Sequence, residues 1–152
     1  MTQLATIEQG LENCIVVTLL PTLNPNSLTI AVALNKASFR RGDTLDVTVT
    51  LGASASPTQA DEYLVGVLPD GQTLVSLVAA PCGTPGVLFG VGRFRCNFTV
   101  TSAADRVLQF TFSGTEPQGT YQAVGRLVKP SGNFFNPADW LNTTTTSFSL
   151  GP

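Results

Sequence analysis

Residues Glu62–Leu77 read Glu-Tyr-Leu-Val-Gly-Val-Leu-Pro-Asp-Gly-Gln-Thr-Leu-Val-Ser-Leu, two apolar, β-prone runs around Pro69-Asp70-Gly71. Asp-Gly between alternating hydrophobics is a strong hairpin signal. Glycine accepts positive φ at no steric cost, and the aspartate side chain bonds back to the backbone just ahead of it. The rest of the chain repeats this pattern of short strands and turn punctuation, with no stretch of helical period. The expectation is an all-β protein built as an antiparallel sandwich.

The strands can be placed from period and punctuation. Leu28–Leu34 opens the body. Thr44–Leu51 alternates cleanly, with Leu45, Val47, Val49 and Leu51 on one side and Thr44, Asp46, Thr48 and Thr50 on the other. Such alternation marks a strand packed on a core from one face. Hairpin strands are predicted near Tyr63–Leu68 and Thr73–Val78. Others follow over Arg93–Thr101, Arg106–Phe112, Gly119–Val128 and Thr143–Leu150. In Arg93–Thr101, Phe94, Cys96, Phe98 and Val100 are placed on one face. Gly52–Ala60 and Ala79–Gly92 read as irregular, the latter carrying Pro81, Pro85 and four glycines. The total is seven to eight strands with turn signals every ~8–12 residues, the spacing of sandwich domains. At 152 residues the chain suits one domain, residues 26–152, preceded by an arm over residues 1–25. Within the arm, Cys14, Ile15, Val16, Val17, Thr18, Leu19 and Leu20 form one apolar, β-branched run, set off by Pro21 and Pro25.

Several pieces resemble the immunoglobulin-like modules of bacterial secreted and cell-surface multidomain proteins. They are Phe39-Arg40-Arg41-Gly42-Asp43-Thr44-Leu45, the hairpin Tyr63–Gly71, Gln118-Gly119-Thr120-Tyr121, and Trp140 with Ser147-Phe148-Ser149-Leu150. Gly-Thr-Tyr before the penultimate strand is similar to a tyrosine corner, in which the Tyr121 hydroxyl would bond back across a loop. The resemblance covers residues 28–150. It implies an immunoglobulin-like sandwich acting as a spacer, adhesive domain or assembly unit, and it brings no catalytic residue.

Chemistry is constrained by what the chain lacks. It has no histidine, which removes the commonest general base and metal ligand and any Ser-His-Asp or Cys-His arrangement within the chain. Three cysteines without a Cys-x-x-Cys pair do not make a zinc site. Asp43 and Asp70 are explained by turns and Asp46 by solvent. Asp61 and Glu62 are neighbours on a strand and point to opposite faces, which does not converge them for glycoside chemistry. A surface calcium on these two is the competing idea. No metal, cofactor or catalytic residue is assigned, and the protein is expected not to be an enzyme. The six arginines are scattered and the net charge is −2, so nucleic acid is not an expected partner. No apolar run approaches the ~20 residues that span a bilayer. No charged n-region opens the chain, and Glu8 and Glu12 interrupt its start, so no signal peptide is recognised.

Three features point outward. Charged residues make up only 12% of the chain, about half the usual share. Together with abundant Thr, Ser, Gly and Asn, this suggests an extracellular or cell-surface setting. Cys82 and Cys96 flank a Gly-rich excursion and are expected to be bonded, the alternative being two reduced, buried thiols. Tyr63, Tyr121 and Trp140 offer a carbohydrate-stacking platform. Against it, Trp140 is the kind of residue that covers the end of a core. The sequons at Asn97 and Asn142 read as chance. The expected partners are neighbouring domains or subunits, including copies of the chain. Cys14–Leu20 is expected either to complete its own sandwich or to add to a neighbour's sheet edge.

Overall fold

The fold is given by a computed structural model, which describes residues 27–152. The arm and its strand Cys14–Leu20 lie outside the described residues. Ten strands are present among the described residues: β1 (Thr29–Leu34), β2 (Ser38–Phe39), β3 (Thr44–Gly52), β4 (Gln59–Val67), β5 (Leu74–Val78), β6 (Gly86–Phe89), β7 (Arg95–Thr99), β8 (Ala103–Thr111), β9 (Gly119–Val128) and β10 (Trp140–Leu150). A 3-10 turn, Pro137–Asp139, leads into β10. Strands β1, β3 and β8 form a small sheet. The larger sheet runs β2-β10-β9-β4-β5-β6, with β7 also on β4. The two pack face to face as an immunoglobulin-like sandwich. All pairs are antiparallel except β2 with β10.

The chain moves from the small sheet to the large one between β1 and β2. Asn35 makes that corner: its amide donates to Thr44 O at 2.9 Å and its carbonyl accepts from Asp46 N at 2.9 Å. Between the sheets lie two apolar clusters. Leu28, Ile30, Val49, Leu51, Ala60, Leu64 and Leu127 fill one end. Phe39, Leu45, Phe112, Phe148 and Leu150 fill the other, with Phe39 edge-on to Phe148 at 5.3 Å. The sheets approach closely where β1 crosses β9. A Cβ on Gly125 would lie 2.8 Å from the Val32 side chain and 3.1 Å from that of Ile30, so only glycine fits.

The hairpin between β4 and β5 follows its turn chemistry. Asp70 accepts from Gln72 N at 2.9 Å and Thr73 N at 2.8 Å, and Gly71 sits at φ +73°. The Thr73 hydroxyl, then the Thr73 and Gln72 amides, hold the Asp70 carboxyl below its usual range.

Three expectations are corrected. The stretch read as irregular, Ala79–Gly92, contains a strand, β6. β4 begins at Gln59, inside the expected Gly52–Ala60 loop. Cys96 does not share a face with Phe98. Arg95 pairs with Glu62 and Phe98 with Ala60, so two β7 residues, Cys96 and Asn97, oppose the single residue Asp61. That bulge, with Asn97 at φ +46°, turns Cys96 to the outer face.

Tyr121 lies on β9. Its hydroxyl donates to Pro117 O at 2.6 Å, and its ring stacks on Phe148 at 5.0 Å and 5°. Tyr121→Phe removes one hydrogen bond and is expected to lower the unfolding free energy in urea by about 1 kcal/mol. Tyr121→Ala also removes the stack, worth a further ~0.5–1.5 kcal/mol beyond the lost burial. Equal losses for the two variants would show that the ring contributes nothing.

Candidate functional site

The larger sheet is wider than the small one, and its outer face carries its own packing. Alternation along β4 sends Ala60 and Leu64 inward and Asp61, Tyr63 and Val65 outward. Tyr63, Val65, Val124, Val128 and Phe134 form a third apolar cluster there, joined by Leu74, Val91 and Trp140. The residues that cover it come from two connections, 79–94 and 129–139.

Asp61 holds both connections. Its side chain is fully buried and accepts from Asn97 N at 2.7 Å and Ser131 N at 2.9 Å, with Arg93 at 3.4 Å. The calcium reading for Asp61 and Glu62 is therefore overturned. Both are fully buried, and Asp61 is committed to backbone amides. Among the described residues no three His, Cys, Asp or Glu side chains gather to hold a metal.

Glu62 points the other way, into the sandwich between Ala60 and Leu64. Arg95 Nε lies 3.3 Å from its carboxylate and Arg95 Nη2 lies 3.4 Å from Asp105 of the opposite sheet. Neither Glu62 oxygen has a well-directed hydrogen bond. Burial pushes its pKa up to about 7. Attraction to Arg95 opposes that shift and the nearby Asp105 adds to it.

The aromatic residues of the alternative sugar platform lie apart. Tyr63 is 8% exposed and packs on Phe134 at 5.2 Å. Trp140 donates from Nε1 to Phe134 O at 2.7 Å, and the Arg126 guanidinium covers its ring at 3.6 Å. Tyr121 sits on Phe148, in a different cluster. The three do not form a common stacking platform. Beside Tyr63 an open cleft of about 590 Å³ is lined by Val91, Arg93, Asn133, Phe134, Phe135 and Asp139 among others. Asn142, one of the two sequon asparagines, accepts from Ile30 N at 3.1 Å.

The feature that sequence reasoning missed is β6. It is the outermost strand of the large sheet. Val75 pairs with Phe89, Ser76 with Leu88 and Leu77 with Val87. Partners across an antiparallel pair share a face, so Val87 and Phe89 project on the inner side and Leu88 on the outer. Their exposures are 64%, 77% and 45%. Among the described residues β6 is thus apolar on both faces, uncharged and unpaired on one edge. The Val87-Leu88-Phe89 run was visible in the sequence, but the surrounding Gly and Pro residues and the absence of alternation hid it.

Three ties hold β6 in place. Gly90 N donates to Leu74 O at 2.8 Å. Ser76, buried, donates to Gly90 O at 2.7 Å and accepts from Gly92 N at 3.1 Å. The Cys82–Cys96 disulfide, Cα–Cα 5.7 Å, staples the connection to β7. No protein-family model matches the chain, and no curated protein matches it in sequence.

Two outcomes are expected. Glu62 binds its proton more tightly folded than unfolded. Its contribution to stability is therefore fully present below about pH 4.5, its ordinary value, and lost as pH rises through about 7. The difference corresponds to ~3 kcal/mol. Denaturant titrations from pH 4 to 8 should show that decline in the wild type and a flatter profile in Glu62→Gln. For the disulfide, Cys82→Ser/Cys96→Ser should cost up to ~3 kcal/mol. Amide exchange should accelerate first over residues 86–90. Uniform acceleration across the sheet would show that the bridge is not a local staple.

Proposed function

We propose that this chain is a non-enzymatic structural or adhesive module of a bacterial cell-surface or secreted protein, working by association through its sheet edges. The observation that carries the reading is β6. Soluble proteins blunt exposed strand edges with charges, bulges or short length, because an open edge pairs with other chains. Here β8 and β2 are blunted in these ways, and one main-chain donor of β1 is already taken. β8 carries Asp105 and Arg106 and a bulge at Val107. β2 is two residues long. β1 has Ile30 N satisfied by Asn142. β6 is short too, at four residues, but among the described strands it alone carries more than one exposed large apolar side chain, Val87, Leu88 and Phe89.

The setting fits. A disulfide is compatible with an oxidising compartment. Among the described residues no helix is long and apolar enough to cross a membrane. A specific form of the reading, a subunit of an extracellular filament or virion surface, is favoured by the two-faced apolarity of β6. An added strand would there be half-covered on both sides.

Sedimentation velocity of the full, oxidised chain over a wide concentration range tests the proposal. Mass-action growth of oligomers is expected. A chain that stays monomeric up to its solubility limit would overturn it.

A further inference from the structure

Resting on that assembly reading, we propose that the strand which docks on β6 is Cys14–Leu20 of a second copy of this chain. The match is chemical. β6 presents apolar side chains on both faces, Val87 and Phe89 on one and Leu88 on the other. A strand laid along its edge needs apolar side chains on both of its own faces and no charge. Cys14–Leu20 meets this: alternation puts Ile15, Val17 and Leu19 on one side and Val16, Thr18 and Leu20 on the other, and the run carries no charged residue. Four of its seven residues, Ile15, Val16, Val17 and Thr18, are β-branched, which suits an extended backbone. Main-chain bonds to the free N–H and C=O groups of residues 86–89 would supply affinity, and the side-chain match the selectivity.

Chain length favours the second copy over the same one. Leu28 is buried in the core, and β1 lies over β9, against Gly125. The slot beyond β6 is four strand spacings from β9, ~19 Å, and one sheet-to-sheet distance away, ~10 Å, or roughly 22 Å in a straight line. Eight Cα steps from Leu20 to Leu28 reach at most ~28 Å. The straight line runs through the end of the sandwich where β1 starts. Residues 53–58, 79–85 and 129–136 all make their connections at that end. A path that swings ~10 Å wide of those connections needs roughly 30 Å, more than the ~28 Å available. A neighbour's arm has no such limit. The contact joins the arm of one copy to the edge of the next, so it is head-to-tail. It therefore builds an open filament or a closed ring, the smallest ring being a dimer in which two copies exchange arms.

The test uses two full-length variants. Val16→Pro/Thr18→Pro removes main-chain donors from the arm and leaves the β6 edge intact. Val87→Lys/Phe89→Lys charges the edge and leaves the arm intact, at positions already exposed in the fold. Each variant alone should sediment as a monomer with a melting temperature within a degree or two of the other. Mixed one to one, they should form a species of twice the chain mass, because one intact arm meets one intact edge. A synthetic peptide of residues 10–21 should bind the arm variant and not the edge variant. If the wild type assembles and the edge variant assembles equally well, β6 is not the acceptor and this inference falls while the assembly reading stands. If the arm variant assembles like the wild type, the arm is not the donor. If the mixture stays monomeric and the arm variant melts markedly lower than the edge variant, the arm serves its own sandwich. A wild-type chain that never assembles removes the assembly reading itself.

Discussion

Strand β4 is hydrogen-bonded along both edges and buried on both faces, and the remainder of the domain is arranged around that fact. One edge is taken by β9 over its length. The other is divided between β7 near Ala60 and Glu62 and β5 near Val65–Val67. A central strand of this kind needs apolar cover on two sides. The small sheet supplies one side, and the connections at 79–94 and 129–139 supply the other. This double cover makes the large sheet a layer in its own right. It also explains why segments without regular strand period are among the most firmly anchored parts of the molecule.

Two carboxylates in the middle of that strand set its surroundings. Asp61 exchanges water for the backbone amides of Asn97 on β7 and Ser131 and sits beside Arg93, which draws both outer connections to the same point. Those amides, with Arg93 beside them, give the buried carboxylate its polar partners. Glu62 has a weaker arrangement. Its partner Arg95 is shared with Asp105 across the sandwich, and burial outweighs the attraction. A buried pair of this kind adds little net stability. What it provides is alignment: Arg95 ties β4 and β7 to β8 of the other sheet, and its guanidinium lies 5.4 Å from the Phe98 ring centroid.

The same architecture leaves β6 outside. With three strands facing seven among the described residues, the large sheet extends past its partner, and no described strand opposes the inner-side residues Val87 and Phe89. Disulfide, serine and backbone ties nevertheless keep the strand extended and in register with β5. An apolar edge held in that way has already met part of the ordering cost that a docking partner would otherwise face.

Local chemistry was legible directly. Asp70-Gly71 announced the hairpin, the alternation of Thr44–Leu51 announced β3, and the fourteen-residue spacing of Cys82 and Cys96 suggested the disulfide. These signals depend on a few consecutive residues and on the period of a strand, so they survive without knowledge of the fold. The face of Cys96, the strand β6, and the burial of Asp61 and Glu62 were not legible. Each depends on residues far away in sequence: a bulge opposite Asp61, a sheet wider than its partner, and amides at Asn97 and Ser131. An all-β sandwich and its turns follow from neighbouring residues alone, because turn geometry and strand period are short-range. Which strand stands at an edge and which charges are enclosed follow from packing, because both are set by what lies alongside.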